Sequence, residues 1–331
     1  MQRASQARKH DPLEYTLPLP FQAEYFPMGF PLRIATNAKP ALDAAAQMWS
    51  RFPQLFEQSA MRVNVTVGGD SGRTLPQDQP ERPPVLRGQE HLLSIVADRD
   101  NFATADLNAG FGHICVTQEV ASDAAYLRYH FLEPLAYVLI AARHAAFVHA
   151  SCVALDGRGV LLCGASGTGK TCLAYACLRR GWTFVSGDAA AVVGDDHREQ
   201  QRLVGRPFEI RFRHTATRLF PELAKFPCVL RPSGKTDIEI DPQELGLASA
   251  VECRADRLVF LDRAEQSIMS SIYTLSSEAA RRELEEGICF GDHSVRERQG
   301  RMLDRLAELP AVRLRYSDVD SAEHVLRGLL K

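Results

Sequence analysis

The chain lacks any apolar run approaching the roughly 20 residues needed to cross a bilayer. Its opening stretch, Met1 to Tyr15, is polar and charged where a secretory leader would carry an apolar core. The reading is a cytoplasmic protein without a membrane partner. It also lacks an excess of either charge, since 39 Lys plus Arg stand against 41 Asp plus Glu for a net charge of −2. No basic footprint is left for nucleic acid or an anionic lipid surface. The eight cysteines, Cys115, Cys152, Cys163, Cys172, Cys177, Cys228, Cys253 and Cys289, never fall at C-x-x-C spacing. They read as reduced, buried small hydrophobes rather than a disulfide frame or a zinc site. Internal repeats and low-complexity tracts are absent too.

What is present is a 331-residue chain, 45% hydrophobic and 24% charged, the composition of a folded soluble protein with room for one large domain or a small one joined to a larger. Residues 1–120 mix short strand candidates, among them Arg62–Val67, His91–Ala97 and His113–Gln118, with a helix candidate at Ala41–Phe56. Gly68–Gln89, rich in Gly, Asp, Pro and Arg, reads as an exposed loop. This part forms an α+β unit whose role the sequence does not disclose. An amphipathic segment, Asp123–His144, leads into residues 121–331, where apolar strands punctuated by glycine alternate with helices in the manner of an α/β nucleotide-binding core. Further on, Arg257–Asp262 reads as a strand, and Ser276–Glu286, Ser294–Leu309 and Ser321–Leu330 as helices.

Gly164-Ala165-Ser166-Gly167-Thr168-Gly169-Lys170-Thr171 fits G-x-x-x-x-G-K-[ST] in full, between the apolar strand Val160–Cys163 and the helix-compatible run Thr171–Arg180. This is a Walker A phosphate loop in sequence and in setting. The glycines let backbone N–H groups and a helix N-terminus point at phosphate oxygens, with Cys172 in the first helical turn. Lys170 brings a cation to the β- and γ-phosphates, and the Thr171 hydroxyl is a magnesium ligand.

Only Asp156-Gly157-Arg158-Gly159 separates the strand-like Phe147–Leu155 from Val160–Cys163, so the two strands should form an antiparallel hairpin. Most phosphate-loop proteins feed the loop from a parallel sheet, so such a hairpin points to a different nucleotide-binding architecture. It also brings His149 opposite the start of the loop, as a functional group or as a hydrogen-bonded structural residue. After the loop helix, Trp182–Ser186 reads as a strand placed beside the first by a right-handed crossover, with Asp188 emerging at the loop's edge of the sheet. A carboxylate there can hold magnesium, accept the proton of an attacking hydroxyl, or simply serve the turn.

His149-Ala150-Ser151, the hairpin, the loop, Arg180-Gly181 and Phe184-Val185-Ser186-Gly187-Asp188 together resemble the catalytic core of HPr serine kinase/phosphorylases over His149 to Pro207. That family looks like phosphoenolpyruvate carboxykinase in fold and phosphorylates a serine of a small carrier protein with ATP and Mg2+. The resemblance implies a mixed-sheet α/β core and an ATP- and magnesium-dependent serine kinase, with His149 beside the loop and Lys170 and Thr171 as the loop lysine and hydroxyl. It also implies Asp188 as the catalytic base, and self-association. The first Asp of the family's Asp pair is Gly187 here, and Glu209-Ile210-Arg211 is followed by Phe212-Arg213 instead of glycine. Both departures argue against the family's reverse reaction, phosphorolysis, and the N-terminal half, which shows no such resemblance, argues for an acceptor protein or peptide other than HPr. A small-molecule kinase using the same site, and a regulatory module that binds ATP or GTP without transfer, are the alternatives. Arg206, Arg211, Arg213, Arg231, Lys235 and Arg254 are further charges from which a phosphate contact could come. The acidic residues of Lys235–Asp241 read as a solvated strand face.

Overall fold

The computed structural model describes residues 18–68, 84–194, 200–232, 234–284, 287–288 and 290–331. Most of the stretch read as a loop, 69–83, lies outside the described residues, as do the opening segment and Cys289.

Seven strands build the first sheet: β1 (Phe21–Tyr25), β2 (Leu32–Thr36), β3 (Met61–Gly68), β4 (Val85–Gln89), β5 (Leu92–Val96), β6 (Phe102–Asp106) and β7 (Phe111–Thr117), in the order β1-β2-β3-β7-β6-β5-β4. β2, β3 and β7 run parallel to one another and the remaining pairs are antiparallel. The alternation legible in β3 is realised, with Val63, Val65 and Val67 buried while Arg62 and Thr66 sit on the opposite, wetter face. Two expectations need correction. Val85–Gln89 is a strand rather than loop, because Leu86 and Arg87 find register partners in Ile95 and Ser94 of β5. The first helix, α1, spans Lys39–Trp49 and stops short of Phe56, with Pro53 in the following coil.

The segment 118–143 is helical except at Asp123: α2 (Gln118–Ser122), α3 (Ala124–Leu127), a π-helical turn (Arg128–Leu132) and α4 (Glu133–Arg143). Leu135, Leu139 and Ile140 of α4 share the buried cluster of the first sheet, which continues to Phe147. His144, directly after α4, stacks on Phe30 with ring centroids 5.0 Å apart. Burial, reinforced by the Arg143 and Arg298 charges, lowers its pKa to about 4. An unfolded histidine titrates near 6.5, so below that pH the unfolded chain binds the extra proton. The stability held by neutral His144 is complete above pH 6.5 and drains away as the pH falls through 4. Stability followed by urea denaturation should therefore drop by on the order of 2–3 kcal/mol more between pH 7 and pH 4 in the native chain than in His144→Gln.

The second sheet is mixed. It contains β8 (Ala146–Val148), β9 (Ala150–Leu155), β10 (Arg158–Cys163), β11 (Thr183–Ser186), β12 (Ala190–Val193) and β13 (Arg202–Val204). A small separate sheet holds β14 (Ile210–Phe212), β15 (Cys228–Leu230) and β16 (Thr236–Ile240), after which β17 (Glu252–Arg263), β18 (Ser271–Leu275) and β19 (Ala311–Tyr316) complete the large one. β10, β17 and β19 are mutually parallel. The apolar runs of β10 and β17 are buried on both faces, as central parallel strands require, while β19 alternates, with Arg313 and Arg315 on its wetter face. Val160 and Leu162 face α5 (Lys170–Leu178) and α8 (Val319–Gly328), whereas Leu161 and Cys163 face α6 (Ser277–Glu283) and α7 (His293–Ala307).

Among the described residues no helix is long and apolar enough to cross a membrane.

Candidate functional site

The hairpin expected before the phosphate loop is present. β9 and β10 pair antiparallel from Leu155↔Arg158 to Ala150↔Cys163, and Asp156 (φ 50°) and Gly157 (φ 76°) make the two-residue turn between them, the left-handed pair that matches strand twist. Residues 164–169 then form the loop, and α5 begins at Lys170. Gly169, its N-cap, sits at φ 96°, and a Cβ there would lie 2.6 Å from the Tyr316 hydroxyl. Glycine is demanded twice, by backbone and by space.

The strand read as continuous from Phe147 to Leu155 is broken at His149. β8 pairs with β12, whereas β9 pairs with β10 and β11. The chain changes partners at that residue, which leaves His149 outside both ladders and next to the first loop residue. β11, expected beside β10, instead pairs antiparallel with β9 on the far side of the hairpin. The hairpin already occupies one flank of β10 and β17 the other, so no free edge remained for it. It still runs parallel to β10, and Gly187-Asp188 emerges at the edge of the sheet where the loop lies.

Two side chains clamp that turn: the Ser151 hydroxyl donates to the Gly187 carbonyl and the Ser186 hydroxyl to that of Ala189. Asp188, 80% exposed, is held with Oδ1 at 3.5 Å from His149 Nδ1. The other ring nitrogen, Nε2, lies 3.1 Å from the Lys170 ammonium. An ammonium can only donate, so Nε2 presents its lone pair and Nδ1 carries the proton toward Asp188. Lys170, 7% exposed, also donates to the Gly164 carbonyl and, at 3.3 Å, to that of Ala165. A phosphate must therefore take a donor now shared with these carbonyls. Lys170, His149 and Asp188, 39 positions apart at the extremes of the numbering, form one continuous polar chain beside the loop.

The remaining predicted residues fall as follows. Ser166, Gly167 and Thr168 line an open cleft; the Thr168 hydroxyl donates to Ala165 O at 2.9 Å and stiffens the loop. Thr171 and Cys172 lie half-buried in the first turn of α5, and burial raises the Cys172 pKa, so the thiol stays protonated. Of the six basic candidates, Arg213 reaches the loop, its Nη2 donating to Ser166 Oγ at 3.3 Å. Arg206 pairs with Glu133 (3.1 Å), Arg254 with Asp256 (3.6 Å), and Arg211 with Glu209 and Glu239. Asp237 and Glu239, read as a solvated face, are instead paired with Arg231 at 3.5 and 3.2 Å.

Sequence reading missed Tyr316. Its buried hydroxyl donates to the Thr168 carbonyl at 2.8 Å, and burial raises its pKa, which keeps the proton needed for that bond. The available signal was the alternation Val312, Leu314, Tyr316, all buried against the loop-helix side. Tyr316→Phe should weaken nucleotide binding about two- to tenfold, the worth of one ordinary hydrogen bond, in a calorimetric titration.

Magnesium binds through one or two protein oxygens together with phosphates and water. Thr171 and Asp188 supply a hydroxyl and a carboxylate of that kind. Among the described residues no three of His, Cys, Asp and Glu converge on a metal position, and a magnesium ion carried by phosphates needs no such cage.

No protein-family model matches the chain, and no curated protein matches it. Among solved structures, the HPr(Ser) kinase/phosphatase from Coxiella burnetii is similar to it at 18% identity and a TM-score of 0.28, over 48% of this chain and 87% of the other. That is a distant structural resemblance, too slight to decide fold or activity.

Proposed function

We propose that the protein is an ATP- and Mg2+-dependent phosphotransferase that moves the γ-phosphoryl group to a serine or threonine hydroxyl of a protein or peptide. Its core would be of the phosphoenolpyruvate carboxykinase-like kind. The observation that carries the reading is the Lys170–His149–Asp188 chain set against a complete phosphate loop on an antiparallel hairpin.

Backbone N–H groups of residues 164–169 and the start of α5 would cradle the β- and γ-phosphates. Thr171 and Asp188 would hold Mg2+, which offsets charge on the phosphates when bound. Asp188 accepts the proton of the acceptor hydroxyl as its oxygen attacks the γ-phosphorus, and the bond to the β–γ bridging oxygen breaks to release ADP. His149 is a positioning residue: its Nδ1–H orients the carboxylate while Lys170 fixes the ring through Nε2.

The test is incubation with γ-labelled ATP and Mg2+, with cell extract as acceptor source and Lys170→Ala as control, followed by mass spectrometry for new phosphoserine or phosphothreonine. A labelled polypeptide absent from the control is the expected result. Label confined to small molecules would replace the acceptor class, and nucleotide binding without any transfer would overturn the enzyme reading.

A further inference from the structure

The Lys170–His149–Asp188 chain lies on one flank of the phosphate loop, toward β9 and β11. The other flank, where β17 and β19 end, carries an open cleft of about 670 Å³ bounded by Ser166, Gly167 and Thr168 of the loop, by Asp262 and Arg263 at the end of β17 and by Ala264 and Glu265 after it. This volume falls within the range, roughly 300–1,000 Å³, of small-molecule sites.

Arg263 closes the loop side of the cleft. A Cβ built on Gly169 would lie 3.8 Å from both its Cδ and its Nη1, so the guanidinium stem runs alongside the start of α5. Strand alternation puts Arg263 on the same face of β17 as Leu261, which packs in the α5 core. Asp262 also lines the cleft, but its carboxylate is paired with Arg315 at 3.7 Å. Among the described residues no carboxylate forms an ion pair with Arg263. Its charge is therefore left to act on the loop and cleft, where Tyr316 and Cys172 both register it.

The next step rests on the transfer reading above. If the γ-phosphoryl is delivered at Asp188, the rest of the nucleotide must leave the loop in the opposite direction. We propose that this cleft is the nucleoside site: the α- and β-phosphates pass toward Arg263, and the ribose and base lie against Ala264 and Glu265. The Glu265 carboxylate is an acceptor suited to ribose hydroxyls, the role acidic residues play in other nucleotide folds, while the guanidinium suits phosphate oxygens.

Calorimetric titration of the full chain with ATP and with inorganic tripolyphosphate, both with Mg2+, separates nucleoside from phosphate contacts. Glu265 is exposed, so Glu265→Trp puts an indole into the cleft without touching the core. Ala264→Phe fills the same space from a half-buried position. Both variants should raise the Kd for ATP tenfold or more and leave that for tripolyphosphate within about twofold. Unchanged ATP affinity in both would place the nucleoside elsewhere and overturn the assignment while the phosphate site stands. Equal losses for both ligands would show that phosphates, not the nucleoside, lie against Ala264 and Glu265, which also overturns it. A native chain that binds neither ligand would instead remove the transfer reading itself, and this inference with it.

Discussion

Asp188→Asn is expected to lower the rate of phosphoryl transfer by about 10²–10⁴-fold while nucleotide affinity measured without Mg2+ stays within about twofold. The amide keeps the size of the carboxylate and can still accept a hydrogen bond from His149 Nδ1, 3.5 Å away. What it loses is the capacity to take the acceptor's proton. An exposed turn aspartate that merely satisfied local polar groups would show no such division, because the turn is held by Ser151 and Ser186 rather than by Asp188. Single-turnover kinetics with γ-labelled ATP, beside a binding titration, separates the two effects. Transfer at the native rate in this variant would overturn the role given to Asp188.

Lys170→Ala should act on both quantities, weakening nucleotide binding about 10- to 100-fold and transfer by a further 10² or more. A nearly buried ammonium that contacts two loop carbonyls and a histidine is placed to neutralise phosphate charge and to hold the ring. Its removal leaves the Gly164 and Ala165 carbonyls without that donor and frees His149 Nε2. The consequence for His149 gives a second readout: its ring proton signals should shift in NMR spectra of Lys170→Ala even without nucleotide. Unaltered signals would mean that the ammonium does not fix the ring.

The loop and its hairpin were legible because each is a local object. Gly164 to Thr171 carries its chemistry in eight consecutive residues, and Asp156-Gly157 specifies the turn through its own backbone preferences. The alternations in Arg62–Val67 and Lys235–Asp241 became β3 and β16 for the same reason. Less visible was the strand Val85–Gln89, whose Gly- and Arg-containing sequence has weak strand propensity and is organised by pairing with Leu92–Val96. The burial of Tyr316 was legible in its alternation, but its bond to the loop and the placement of Arg263 beside it were not, since the register of β19 and β17 against the loop strand is not written near either residue.

By itself, the sequence determined that this protein has a glycine-rich loop of the G-x-x-x-x-G-K-[ST] kind followed by a helix and preceded by a hairpin, because hydrogen-bond geometry and glycine conformation act between neighbours. It also placed His149 and Asp188 at the edge of the sheet where the loop lies. Only the tertiary structure decided that the two would meet. That depends on the break between β8 and β9, on β11 landing beside β9 instead of β10, and on hydroxyl contacts between residues 36 positions apart. Strand order is settled by which edges remain free once the whole sheet is packed, a competition among distant segments that no local stretch of sequence records.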